Sequence, residues 1–165
     1  MSHKIAVSRD KRGLGVSEAG RLIGKAARAA LRAEHIAVSC EIGVLLTDDA
    51  GIRARNLAYR NIDRATDVLS FPLNEFSPGG FDPENAETDP GTGRVLLGDI
   101  ALSLERAAAQ GAEFGHGIRR EIQYLAVHSV LHLLGYDHLD EGAMKGRMRA
   151  REKAVMARLG GTEEK

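Results

Sequence analysis

The segment Y-L-A-V-H-S-V-L-H-L-L-G-Y-D-H, residues 124–138, gathers the side chains best suited to chemistry. His128 and His132 are four apart, a spacing that in a helix puts both imidazoles on one face with roughly 5 to 6 Å between their Cβ atoms. Two ring nitrogens can then reach one cation. Gly135 can take the left-handed conformation that ends a helix and turns the chain back, which offers His138 as a third ligand. Three neutral histidines without a fourth protein ligand describe a zinc site with an open position, the catalytic rather than the structural arrangement. A single histidine on an apolar helix is ordinarily a core residue or a cap. Here three of them lie among Val127, Val130, Leu131, Leu133 and Leu134, where unpartnered imidazoles are costly and a shared cation removes that cost.

The spacing H-x3-H-x2-G-x2-H is also that of the metzincin proteases, in which a Glu directly after the first His acts as general base. In this chain that position is Ser129. A serine hydroxyl takes up no proton at neutral pH, so peptide hydrolysis by that route is disfavoured. A zinc hydrolase of peptides or small molecules, with water activated by metal alone, stays open as an alternative.

Several elements must position these histidines. Ile5 and Val7 in residues 4–8 predict a first strand, and residues 18–34 an amphipathic helix with Leu22, Ala26, Ala30 and Leu31 on one side. Residues 41–46 read as a second strand, followed by Thr47, Asp48 and Asp49 as N-cap chemistry for a helix over 50–59. Residues 68–71 form a short strand closed by Pro72. Residues 95–103 form a fourth, where Gly98 predicts a bulge or a close backbone approach. A short helix over 104–110 should end at Gly111, and a long buried helix should run over 118–134. The last helix, with Asp140 as a plausible cap, carries Met144, Met148, Val155 and Leu159 as a core stripe and should end at Gly160 and Gly161. The expected fold is α+β: a small mixed four-stranded sheet packed with about five helices, the central buried one carrying the ligands.

At 165 residues the chain suits a single domain over 1–165. Residues 77–94, rich in Pro, Gly and acids, should be a mobile loop, and residues 162–165 a frayed tail. Lys plus Arg and Asp plus Glu both number 23, so nucleic-acid binding would need a local patch. Arg53, Arg55, Arg60 and Arg64 supply the most concentrated one, although such a run is commonly just a solvated helix face. The lone cysteine, Cys40, excludes an intramolecular disulfide and reads as a buried strand-end thiol in a reducing compartment. No apolar run reaches the ~20 residues of a membrane span, and the first dozen residues lack a signal-peptide core. A cytoplasmic location is expected.

Three segments together make the chain resemble the YbeY family of bacterial metal-dependent endoribonucleases: R-N-L-A-Y-R-N-I-D-R-A-T-D-V-L-S-F-P over 55–72, L-G-D-I-A-L-S over 97–103 and H-S-V-L-H-L-L-G-Y-D-H over 128–138. The resemblance implies one zinc ion on His128, His132 and His138, and Arg60, of the family's Y-R pair, as the catalytic or phosphate-binding residue. It further implies an α+β fold and cleavage of single-stranded RNA in ribosomal RNA precursors, with 16S rRNA 3′ end maturation and ribosome quality control as the role. A small-subunit ribosomal protein is a candidate partner. The family usually has Gly where Ser129 stands and Leu where Arg55 stands, and its loop before Arg94 is shorter. On this reading the cation activates water or the neighbouring ribose hydroxyl while Arg60 neutralises charge on the scissile phosphate. A non-catalytic ribosome assembly factor, with metal only fixing the fold, is the remaining alternative. Asp137 is either an acceptor for a histidine ring or a turn residue. Asp67 and Asp99 read as loop or bulge residues rather than bases, His116 as exposed, and His3 and His35 stand outside any motif.

Overall fold

A computed structural model describes residues 2–11, 13–136 and 142–163, with side chains through residue 160. Alternating aliphatic residues produce β1 (Lys4–Arg9) and β2 (Cys40–Thr47), joined by α1 (Ala19–Ala33). They pair in parallel, with Ile5 opposite Ile42 and Val7 opposite Val44. Then come α2 (Asp49–Arg60), β3 (Val68–Pro72) and β4 (Val95–Ser103), followed by α3 (Leu104–Phe114), α4 (Gly117–Leu133) and α5 (Ala143–Glu163). The sheet order is β1-β2-β4-β3, with β4 parallel to β2 and β3 antiparallel to β4 at one edge. This is the expected mixed four-stranded α+β architecture.

The two faces of the sheet are covered unequally. Ile42, Val44, Leu46, Ile100 and Leu102 point into the main core with α1, α4 and α5, whereas Ala101, one residue out of phase, joins Leu69 and Ile52 of α2 in a small second cluster. The period-2 alternation of a strand makes that division. α1 presents Ala19, Ala26, Ala27 and Ala30 to the core alongside Leu22 and Leu31, and such small side chains let α4 pack closely against it. The α5 stripe is core as expected: Met148, Val155 and Leu159 are buried and Met144 is partly so. Cys40 starts β2, fully buried, and burial pushes its thiol up to about 12. No described helix is long and apolar enough to cross a membrane.

Glycines account for several differences from the expected boundaries. α3 does not end at Gly111. A Cβ there would sit 2.5 Å from the Gly117 carbonyl carbon, so this glycine serves the close crossing of α3 and α4, and the helix stops at Gly115 with φ 78°. Likewise α5 continues past Gly160 and Gly161 to Glu163; Gly160 lies beside the Arg120 guanidinium, whose Nη1 would be 3.0 Å from a Cβ. Gly98 fulfils both parts of its expectation. The β2–β4 register slips by one residue beside it, and at φ 135° a Cβ would meet the Phe71 carbonyl oxygen at 2.3 Å.

Residues 77–94 contain one 3-10 turn, Pro83–Asn85, and the segment is tied to the sheet by Asn74. That side chain accepts from the Glu87 amide at 2.8 Å and donates to the Leu96 carbonyl at 2.9 Å. Sequence analysis did not single out Asn74.

Candidate active site

α4 is apolar almost all round, so its few polar side chains stand out by what they face. His128 and His132 share one side as their spacing requires. Their rings lie nearly perpendicular, 79° with centroids 4.6 Å apart, and their Nε2 atoms converge to 3.1 Å. Two nitrogens bound to one tetrahedral zinc at 2.0–2.1 Å would be about 3.3 Å apart. The pair therefore fits a single cation.

The orientation of His128 comes from a residue that sequence analysis did not name. Its Nδ1 hydrogen-bonds the carboxylate of Glu152 on α5, and Glu152 is only 5% exposed. A carboxylate accepts, so the proton of the neutral ring sits on Nδ1 and the lone pair on Nε2 faces outward. The other carboxylate oxygen accepts from the Tyr124 hydroxyl at 3.1 Å. Burial, reinforced by the Glu152 charge, pushes the Tyr124 phenol above its ordinary value, so it remains a donor. No motif marks Glu152, because it lies 24 residues beyond His128. The available signal was an acid on the otherwise apolar face of α5, beside Met148, Val155 and Met156, which needs a partner when buried.

Gly135 performs the turn expected of it. With φ 104° it lies against the backbone of Phe76 and Ser77, and a Cβ would meet the Phe76 carbonyl oxygen at 2.3 Å. Any other residue would be both strained and obstructed. His138 and Asp137 lie outside the described residues, and among those described no three His, Cys, Asp or Glu side chains gather as a metal site.

His128 and His132 open onto a cavity of about 700 Å³, which also takes in Arg60, Arg64, Asp67 and Tyr136, within the size range of ligand clefts. The cavity lies along β3, the sheet's edge strand, and joins α4 to the end of α2. Asp48 caps the start of α2 by accepting from the Gly51 amide at 2.8 Å. Asn61, left-handed at φ 58°, ends it directly after Arg60. The exposed Arg60 side chain donates from Nη2 to the Ser70 carbonyl oxygen at 3.0 Å, which holds its guanidinium at the cavity wall. The buried Asn56, also missed by sequence analysis, donates to the Arg64 carbonyl at 2.9 Å and braces the turn carrying that cation.

The arginine run thus divides. Arg53 pairs with Asp63 at 2.7 Å on the open surface, and Arg55 reaches Asp10 at 3.4 Å, so these two match the solvated-face reading. Arg60 and Arg64 line the cavity. Asp67 lines it too, although its carboxylate is engaged in its own turn, accepting from the Val68 amide at 2.7 Å. Asp99 projects from the other sheet face beside Gly43. Ser129 is completely buried, with no partner for its hydroxyl among the described residues, and it does not line the cavity. His116 is exposed and bonds Glu121 at 3.2 Å, His3 accepts from the Cys40 amide at 3.0 Å, and His35 occupies a left-handed position after α1 at φ 58°.

The same arrangement of elements is found in known proteins. A solution structure from Thermotoga maritima superposes with a TM-score of 0.59, covering 97% of this chain and 94% of that one. At 20% identity that likeness speaks for the fold alone. Curated proteins named endoribonuclease YbeY are much nearer in sequence. One from Clostridium botulinum (strain Loch Maree / Type A3) is 47% identical over 133 residues, 77% of this chain and 80% of the relative. One from Roseiflexus sp. (strain RS-1) is 45% identical over 143 residues, 87% and 85% of the two chains. The family model described as Endoribonuclease YbeY matches residues 4–160, a span that holds β3, the Arg60 helix end and the histidine helix alike. By its sequence over nearly its whole length, the chain belongs to the endoribonuclease YbeY family.

Proposed function

We propose that this protein is a zinc-dependent endoribonuclease that cuts single-stranded RNA in ribosomal RNA precursors, 16S rRNA 3′ ends included, in the cytoplasm. His128 and His132 on α4, with His138 beyond Gly135, would hold the metal. A cation there supplies water activation near neutral pH and polarisation of a phosphoryl oxygen. The protein's own groups do the remaining work. Glu152 keeps the His128 proton on Nδ1 and so keeps the Nε2 lone pair aimed at the cavity. Arg60 spends one N–H on the Ser70 carbonyl and has further planar donors for the oxygens of a phosphate, where charge grows as the ester bond breaks. Ser129, buried away from the cavity wall, takes no part in proton transfer.

What carries this reading is the meeting, in one cavity, of two convergent imidazole nitrogens 3.1 Å apart and an arginine from another helix. The kinship with proteins named endoribonuclease supports RNA as the substrate. The test is metal analysis of the purified protein combined with cleavage assays on single-stranded RNA and on casein, before and after chelation. One zinc per chain, RNA cleavage abolished by chelator and restored by zinc, and intact casein are expected. RNA cleavage indifferent to chelation would remove the metal from the mechanism, and casein cleavage without RNA cleavage would move the protein to peptide chemistry.

A further inference from the structure

We propose that Tyr59 and Phe71 form a stacking site for one unpaired base of the RNA strand, beside the cavity that holds Arg60, His128 and His132. The proposal rests on the endoribonuclease reading and adds a substrate contact to it.

Tyr59 is the most exposed of the large apolar side chains described, at 73%. It is nevertheless braced: its ring meets Phe71 edge-on, centroids 5.4 Å apart and planes at 62°. A flat apolar surface held in this way is offered at little cost in side-chain entropy, and every nucleobase has a π-face to lay on it. The two rings border a second cavity of about 410 Å³, shared with Leu45, Arg55, Asp99 and Ala101, on the sheet face that α2 covers only in part. Leu57, Ile62 and Leu73 are exposed nearby in sequence, so four of the five exposed large apolar residues among those described fall between residues 57 and 73.

Continuity with the candidate active site is set by the chain itself. Tyr59 directly precedes Arg60, and Phe71 directly follows Ser70, whose carbonyl receives the Arg60 hydrogen bond. Successive strand side chains point to opposite faces, so the edge of β3 separates the phosphate-facing cavity from the aromatic ledge. A strand whose phosphate lies at Arg60 needs only to cross that edge to set a base on Tyr59. The ledge suits a base rather than a second phosphate, since Asp99 lines it and Arg55 is paired with Asp10. The cations Arg60 and Arg64 on the adjoining wall favour a polyanion over an apolar protein segment. In a duplex the base faces are covered by their neighbours, so a site of this kind selects single strands.

The chain contains no tryptophan, and Tyr59→Trp therefore places a single indole on the ledge. Its emission should be quenched on titration with a short single-stranded RNA, and should not respond to a duplex or to an abasic ribose-phosphate chain of equal length. In parallel, Tyr59→Ala should weaken single-strand binding roughly 5- to 150-fold, the range of one base–aromatic stack, with kcat at saturating RNA little changed. Tyr59→Phe should restore affinity, because the ring face rather than the hydroxyl makes the contact. An unaltered Kd for Tyr59→Ala, or emission that ignores single-stranded RNA, would overturn the stacking site. Equal quenching by the abasic chain would also overturn it, in favour of a phosphate contact. Cleavage by the unmodified protein is measured alongside, so failure of the nuclease reading is seen separately from failure of the ledge, which the titrations decide.

Discussion

The histidine wall and the arginine wall of the cavity face the same space and are built in opposite ways. His128 stands on a helix in the middle of the core, and its ring is held from behind by Glu152, which is held in turn by Tyr124. Arg60 stands on the last turn of α2, exposed, and among the described residues its side chain bonds one strand carbonyl. A cation needs donors fixed to within a fraction of an ångström, and only packed elements with satisfied polar partners provide that. The cost is a buried carboxylate, tolerable because both its oxygens are bonded. A phosphate on a flexible strand needs reach and access, which a long side chain at a helix end provides.

Substitutions can break this contrast or sharpen it. The largest effect is expected for His132→Ala, which removes one of the two convergent nitrogens: zinc content should fall to background and RNA cleavage with it, while circular dichroism stays that of the folded chain. A folded, zinc-free His132→Ala protein that still supports ribosome maturation in cells would instead favour a non-catalytic assembly role. Next comes Glu152→Gln, which keeps the volume but replaces an acceptor-only carboxylate with an amide. Zinc affinity should fall about 10- to 100-fold, as for other partners behind metal ligands, and excess zinc should rescue much of the activity. If affinity is unchanged, Glu152 is a packing residue and the two walls are less different than they look.

On the opposite wall, Arg60→Ala should lower cleavage by about 10- to 1000-fold with zinc content and melting temperature unaltered. Equal cleavage with zinc bound would rule out its phosphate role. The smallest change is expected for Arg53→Ala, four residues before Leu57 and seven before Arg60. Its ion pair with Asp63 is on the open surface, where salt and water screen it, and cleavage should stay within about twofold of the unmodified protein. Together these two arginines test whether the run acts as a patch or through one member.

Much of the histidine wall was legible locally. The 3.6-residue period puts His128 and His132 on one face whatever else the chain does, and the glycine three residues after His132 had to turn. The strands, their order of appearance and the bulge at Gly98 could be read for the same reason, since pattern and period are properties of neighbours in sequence. The misjudged ends were those of α3 and α5, where Gly111 and Gly160 looked like stops. A glycine that ends a helix and a glycine that lets another element approach have the same sequence appearance, and only the presence of Gly117 or Arg120 alongside tells them apart.

What the sequence by itself determined, then, was the pair of imidazoles on one helical face and the α+β alternation that buries that helix. Tertiary structure alone decided that Glu152 stands behind His128 and that Tyr59 meets Phe71, and it brought Arg60, which the family resemblance had singled out, to the cavity of the histidines while leaving Arg53 on the open surface. The physical reason is range. Helix and strand periods are set by backbone geometry within a few residues, whereas the crossing of α5 over α4 and the position of α2 along the edge of β3 follow from how whole surfaces pack, which no local spacing records.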